Sequence, residues 1–474
     1  MGASVNGNTK KAVKAGVAYT IGNILIKGIN FLALPLFSRV MTTDEFGVFN
    51  VFVSYDAILF VIIGFAIHSS IRSANYEFKG EIDQYTSSVS LIYWINAFII
   101  IILFSLFGPV ISYWVHFEQI VLYLLVFYSF GSAVLNLYNQ RLSLNYSYKK
   151  YIWVSLANSL GNIGLSLVLI FTVFRNHKDI GRIVGSSAAI FLLACMLLIS
   201  LYREARPKYS RYYWSFALKY SLPIVPHGLS QVLLAQFDRI MIRSMVSDSA
   251  AGIYSLAGNI KLVLTILTDS VATAWSTWFY EEIDKRKYSE IQNRAVQLSI
   301  LFMVFSIGTM AVSPELILLL GGRAYESGKY VAIPMILDAF ILFLYNIIVP
   351  SEYYTQKTTY IMLGTMVAAG INLVTNYIFI KKYGYIAAAY TTLFSYICYV
   401  IFHIIISRRL VKFYVIPLKW IIGLSACVAL MAVVFIIFIE SVMVRWCICG
   451  AVIVPIVLHE FIKIKNERAN RVGN

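Results

Sequence analysis

The chain has 474 residues, 59% of them hydrophobic and only 13% charged, with a mean hydropathy of +0.74. That leaves too little polar surface for the several soluble domains its length would otherwise allow, and it excludes a water-soluble enzyme body in favour of a membrane one. The 39 Lys and Arg against 23 Asp and Glu give a net charge of +16. In a soluble chain this excess points to nucleic acid, but here most of the cations sit in alternate loops between apolar stretches, so no nucleic-acid partner is expected.

About 20 apolar residues cross the hydrocarbon core as a helix. Stretches of that length recur at 16–38, 46–70, 87–110, 119–140, 152–174, 181–202, 216–238, 251–274, 295–319, 331–350, 360–380, 385–406, 420–439 and 444–462. The expected fold is all-α: a polytopic membrane protein with about fourteen transmembrane helices. The first stretch is too long for a signal-peptide core and lacks a small-residue cleavage site. Lys10, Lys11 and Lys14 precede it, and Lys463, Lys465, Arg468 and Arg471 follow the last one. Arg203, Arg206, Lys208 and Arg211, and later Arg408, Arg409 and Lys412, fall in loops on the same side. The positive-inside bias puts that side, and both termini, in the cytoplasm.

Two inner stretches are longer than the rest. Segment 203–215 is basic and aromatic, as expected of a linker lying in the headgroup region. Segment 276–294 has the composition of an amphipathic surface helix. The five cysteines (Cys195, Cys398, Cys427, Cys447 and Cys449) are scattered through apolar segments, which argues against a disulfide framework. Cys447 and Cys449 have no histidine cluster nearby, so neither a metal site nor a cofactor is expected.

The chain repeats. Arg39–Phe49 aligns with Ser244–Tyr254 at an offset of 205 residues, matching Thr42 to Ser247, Gly47 to Gly252 and Phe49 to Tyr254. Lys150–Ile152 parallels Thr359–Ile361, and Gly161 parallels Gly370, at an offset of 209. An even number of helices separates the copies, so the repeat is parallel, with a substrate path expected between two pseudo-symmetric six-helix lobes. The expected division is an N-lobe (1–202), a cytoplasmic linker (203–215), a C-lobe (216–406), and two further helices with a cytoplasmic tail (407–474).

Ionisable groups inside hydrocarbon face a cavity or a partner. In the first span Asn23, Lys27 and Asn30 lie within about 60° on a helical wheel. In the seventh, His227, Gln231 and Asp238 share a stripe beside Pro223 and Pro226, which should break or kink the helix. In the eighth, Lys261, Thr265, Thr268 and Asp269 share a face. Asp56 and Asp338 lie in the second and tenth spans. The 205-residue offset sets Lys261 against Asp56 in the repeat, which predicts that both line the central cavity, where they could form an ion pair. That pair either opens and closes with the lobes or holds them together. Asn158 and Asn162, and Asn372 and Asn376, form paired amide faces that either stitch helices or line a cavity. No phosphate-binding loop is present, so ATP is not the expected energy source.

Certain motifs carry a family resemblance: Leu34–Val40 with Glu45-Phe46-Gly47, then Phe237–Ile242, Ala251–Ala257, and Lys382–Ala389 with Asn372, Asn376 and Thr392. Their order and spacing resemble the multidrug/oligosaccharidyl-lipid/polysaccharide exporter superfamily, and within it the Wzx-type O-antigen and capsule flippases. The resemblance implies a transporter rather than an enzyme. It would move an undecaprenyl-diphosphate-linked oligosaccharide across the bacterial cytoplasmic (inner) membrane by alternating access, with H⁺ or Na⁺ as coupling ion. Its partners would be membrane lipids and other polysaccharide-assembly proteins. On that reading Lys27, Lys261, Arg239 and Arg72, with Asn23 and Asn30, would bind the substrate. Asp56, Asp238, Asp269 and His227 would carry ion coupling or gating. Alternatives are a peptidoglycan-precursor flippase, a cation-coupled multidrug exporter, and a membrane polysaccharide polymerase or ligase.

Overall fold

The computed structural model describes residues 2–472. The terminal clusters Lys10–Lys14 and Lys463–Arg471 lie outside the described side chains. The described residues form helices and no strands. Spanning segments must satisfy their backbone internally, and helices do so without neighbours. Twelve of the helices are long and apolar enough to cross a membrane, or thirteen if one bent pair counts as a single span. They coincide with all of the expected spans except the seventh. The protein is an all-helical, multi-pass membrane protein.

Packing divides the chain at Gly252. The first unit contains α1 (Gly2–Val40), α2 (Thr43–Gly64), α3 (Ile71–Glu77), α4 (Ile82–Val115), α5 (Gln119–Leu144), α6 (Tyr148–Thr172), α7 (Lys178–Glu204), α8 (Arg211–Ser221), α9 (Val225–Met245) and the start of α10 (Asp248–Ile260). The second contains the rest of α10, α11 (Leu262–Asp284), α12 (Tyr288–Gly321), α13 (Lys329–Ile348), α14 (Pro350–Tyr354), α15 (Thr358–Tyr383), α16 (Tyr385–Val411), α17 (Leu418–Ile437) and α18 (Val442–Val472).

The expected seventh span is not continuous. Pro223 and Pro226 remove two backbone donors, and the chain passes from α8 through a 3₁₀ turn at Leu222–Ile224 into α9. The eighth span is the bent pair: α10 and α11 meet at 43°, with Lys261 alone at the break. Segment 276–294 corrects a second expectation. It is not a separate surface helix. Its aromatic residues continue α11 to Asp284, and α12 resumes at Tyr288 after a three-residue turn that Arg286 closes at φ 57°.

The basic linker is strapped down as well. Gln84 donates to the Arg206 carbonyl at 2.8 Å, Ser88 to that of Lys208 at 2.6 Å, and the Trp214 indole to that of Ser88 at 3.1 Å. Phe78 sits among Tyr85, Tyr212, Tyr213 and Phe216, with ring centroids 4.9–5.3 Å away. Tyr213 donates to Glu81 at 2.5 Å. Burial and that carboxylate push its phenol up to about 12, so the donor stays in place at neutral pH. The linker therefore packs on α3 and α4.

The start of α2 shows why the repeat carries glycine. Thr42 and Glu45 form a reciprocal capping box: Thr42 Oγ1 accepts from the Glu45 N–H at 3.2 Å, and Glu45 Oε2 accepts from the Thr42 N–H at 2.8 Å. The two helix starts then meet backbone to backbone. A Cβ on Gly47 would stand 1.9 Å from the Asp248 carbonyl oxygen, and one on Gly252 would stand 2.1 Å from that of Thr43. Asp248 follows Thr43 by the same 205 residues that separate the two glycines. The contact is thus reciprocal, each copy docking on its equivalent. Ser249 adds a hydrogen bond to Thr43 Oγ1 at 2.7 Å.

Candidate functional site

In the first unit the α1 face is accessible: Asn23 and Asn30 are exposed and Lys27 is half-buried. Asn23 Oδ1 accepts from the Tyr151 hydroxyl of α6 at 2.8 Å. Asp56 is half-buried on α2 beside the α5 hydroxyls Ser129 and Ser132. Arg72 is exposed on α3. On α9 His227 sits in the first turn, Asp238 is buried, and Arg239 donates to Gln236 of its own helix.

The second unit holds the most telling group. Lys261 interrupts the α10–α11 span and turns its ammonium to Asp338 on α13, 3.1 Å from Oδ1 and 3.3 Å from Oδ2. Asp338 is 1% exposed, whereas the Lys261 side chain keeps 31% of its surface. Thr265 and Thr268 return their hydroxyls to the helix carbonyls, and Asp269 is exposed on α11. Within its own unit Lys261 thus has a carboxylate partner in Asp338. The repeat fixes depth along the helices, but which way a helix turns its face depends on neighbours the offset does not encode.

The amides of α15 stitch it to hydroxyls of α16. Asn372 donates to Thr392 at 2.9 Å, Asn376 to Asn372 at 3.1 Å, and Thr391 to Asn376, with both asparagines fully buried. On α6, Asn162 accepts from Ser186 of α7 at 3.0 Å.

Several buried charges were not singled out from sequence. Arg141 bonds Asp83 at 2.6 Å and also Glu204, clamping the ends of α5, α4 and α7. Arg182 lies 3.8 Å from the ring centres of both Phe37 and Phe49. Arg445 donates to Glu315 at 2.5 Å and to the Ala311 carbonyl at 2.7 Å. By position these arginines read as loop or helix-end charges. Only the acids 58 and 63 residues from Arg141 reveal its burial, and no local spacing marks them.

A groove of about 660 Å³ opens between α11, α12 and α18. Trp275, Trp278, Leu298, Leu301 and Ile456 line it, together with Arg294.

Comparison with known proteins gives the family. The sequence profile of the polysaccharide biosynthesis protein family matches residues 12–276, more than half of the chain, and the chain belongs to that family. It is 22% identical over 357 residues to Lsg locus putative protein 1 of Haemophilus influenzae, covering 73% of this chain and 86% of that one. It is 19% identical over 402 residues to a probable low-salt glycan biosynthesis flippase of Haloferax volcanii, covering 82% of each. The solved inward closed structure of lipid II flippase MurJ superposes with a TM-score of 0.76 at 15% identity, over 94% of this chain and 99% of that one. At that identity the likeness speaks for the fold.

Proposed function

We infer that this chain translocates an undecaprenyl-diphosphate-linked oligosaccharide from the inner to the outer leaflet of the bacterial cytoplasmic membrane by alternating access, for O-antigen or capsule synthesis. The observation that carries the reading is Lys261: a half-exposed ammonium at a break in a spanning helix, held by one buried carboxylate. A diphosphate offers stronger charge-assisted hydrogen bonds than a single carboxylate does, so cargo would compete with Asp338 for the ammonium. Lys27, Arg72 and Arg239, with Asn23 and Asn30, would add charge and hydrogen bonds around the headgroup. Asp56, Asp238, Asp269 and His227 would serve a coupling ion, H⁺ or Na⁺. A sugar headgroup crosses hydrocarbon only where its hydroxyls and charges are met. The apolar groove beside Arg294 suits a prenyl tail whose charged end stays by that arginine. The orientation is cytoplasmic termini, from the positive-inside bias, and assembly proteins that supply or consume the cargo would be the protein partners.

A lipid II-type precursor is the second reading, favoured by the fold shared with a lipid II flippase over 94% of the chain. Deleting the gene separates the two. The account expects surface polysaccharide to vanish and lipid-linked oligosaccharide to collect on the inner leaflet, with plasmid expression restoring both. Intact surface glycan together with arrested wall synthesis would transfer the assignment to the second reading.

A further inference from the structure

One buried ionisable pair has no role in the reading above. α13 ends at Ile348, and Pro350, which lacks a donor, opens the five-residue α14. Glu352 sits in the middle of that short helix, and α16 carries His403 past it. His403 Nδ1 and Glu352 Oε1 are 2.6 Å apart, and both side chains are 0% exposed. The imidazole is boxed by Tyr345, Tyr399 and Phe402, with ring centroids 4.5–5.1 Å away. On α15, Gly364 closes the box: a Cβ there would stand 2.5 Å from His403 Nε2. Ser351 and Ser407 add a second polar contact between α14 and α16 at 2.6 Å.

The other atoms of the pair make the site unusual. Glu352 Oε2 and His403 Nε2 are buried and have no hydrogen-bond partner among the described residues. The facing titratable groups are tyrosines: Tyr345 of α13, Tyr353 of α14 and Tyr399 of α16. α15 presents Gly364 and Thr365, the latter bonded to Tyr399. α11 brings Tyr280 near Tyr353, and its Asp284 accepts from the Tyr354 hydroxyl at 2.5 Å. Among the described residues, the only ion pair Glu352 makes is with His403.

Such a pair is neutral overall with one proton shared between ring and carboxyl. Removing the proton leaves a buried carboxylate beside a neutral ring, and adding a second leaves a buried imidazolium beside a neutral acid. Either state places net charge where water does not reach, which costs several kcal/mol. Proton number is therefore tied to closure of α14 on α16, because opening admits the water that either charged state needs.

We propose that Glu352 and His403 form a proton-binding site that holds one proton while α14 is closed on α16 and exchanges it when they part. The charge bias assigns that end of the second unit to the cytoplasm. The site itself stands without the flippase reading; only the use made of its proton, biasing the transport cycle, rests on it.

Two arms test the proposal on the full-length protein in lipid. In the first, ¹⁵N-histidine spectra are followed from about pH 5 to 9, which brackets the range of about pH 5 to 8 in which imidazole charge ordinarily changes. The His403 signal is identified by its absence in His403→Gln. It should show one reversible protonation step in wild type and stay neutral throughout in Glu352→Gln, which offers the ring no counter-charge. Should Glu352→Gln not fold, Glu352→Asp keeps the charge, and its step should lie at a different pH. A His403 charge that never changes, or that follows pH identically in wild type and variant, overturns the proposal. In the second arm, vesicles carrying a fluorescent undecaprenyl-diphosphate oligosaccharide are given a proton gradient of either sense. Reversing it should change the wild-type rate at least about fivefold, the low end for coupled sites, and change the rate of His403→Gln by clearly less. Equal gradient dependence in both proteins also overturns it. If no cargo moves in any vesicle, the flippase reading fails and the spectra still decide the proton site.

Discussion

Replacing Lys261 by methionine is expected to abolish surface polysaccharide while leaving a protein that still inserts. Two effects combine and can be separated. The first is structural. The substitution takes away the ammonium that Asp338 faces, and Asp338 is 1% exposed. Breaking a buried pair from one side costs about 3 kcal/mol or somewhat more. The second is functional: the cation at the α10–α11 break is lost. In the double variant Lys261→Met/Asp338→Asn neither charge remains, so most of the lost stability should return. Export should not return, because no ammonium is left for a diphosphate. Lys261→Arg keeps the pair and should retain partial export. Thermal unfolding in detergent, read beside surface glycan, checks both. Wild-type export by the double variant would reduce the Lys261–Asp338 pair to a structural tie.

A stability loss of comparable size is expected at the glycine contact. Gly47→Ala places a methyl 1.9 Å from the Asp248 carbonyl, and Gly252→Ala places one 2.1 Å from that of Thr43. The obstruction is backbone on both sides, so no rotamer relieves it, and the helix starts must separate by about 1.5 Å to reach ordinary contact. Overpacking typically costs about 1–3 kcal/mol, and here the upper end is expected. The reciprocal geometry adds a sharper expectation. Once one alanine has parted the helices the second meets little resistance, so the double variant should be scarcely worse than either single one. Membrane protein level and unfolding temperature of the three variants measure this. Fully additive losses would contradict the reciprocal contact.

That contact shows how much of the fold could be read in the sequence. Gly47 and Gly252 align because each sits where the other's backbone arrives, so the constraint survives as a residue identity. Pro223 and Pro226 announced the interruption before α9 for an equally local reason. The break at Lys261 carries a weaker mark: Ile260 and Leu262 adjoin it, with Gly258 three residues before. Hydropathy placed Lys261 and Asp338 correctly within spans. It could not say that the two faces turn toward each other. Segment 276–294 has amphipathic composition, yet it belongs to the ends of two long helices, because length beyond the bilayer looks in sequence like a surface helix. Glu352 and His403 are 51 residues apart, and a lone histidine in an apolar span gives no hint that an acid meets it.

The most direct test of the central claim uses purified protein in sealed vesicles, with a fluorescent undecaprenyl-diphosphate oligosaccharide confined at the start to one leaflet. The account predicts that wild-type protein carries the headgroup to the opposite leaflet far faster than protein-free vesicles do, and that Lys261→Met does not. Transfer no faster than in protein-free vesicles, or equally fast with Lys261→Met, would contradict it.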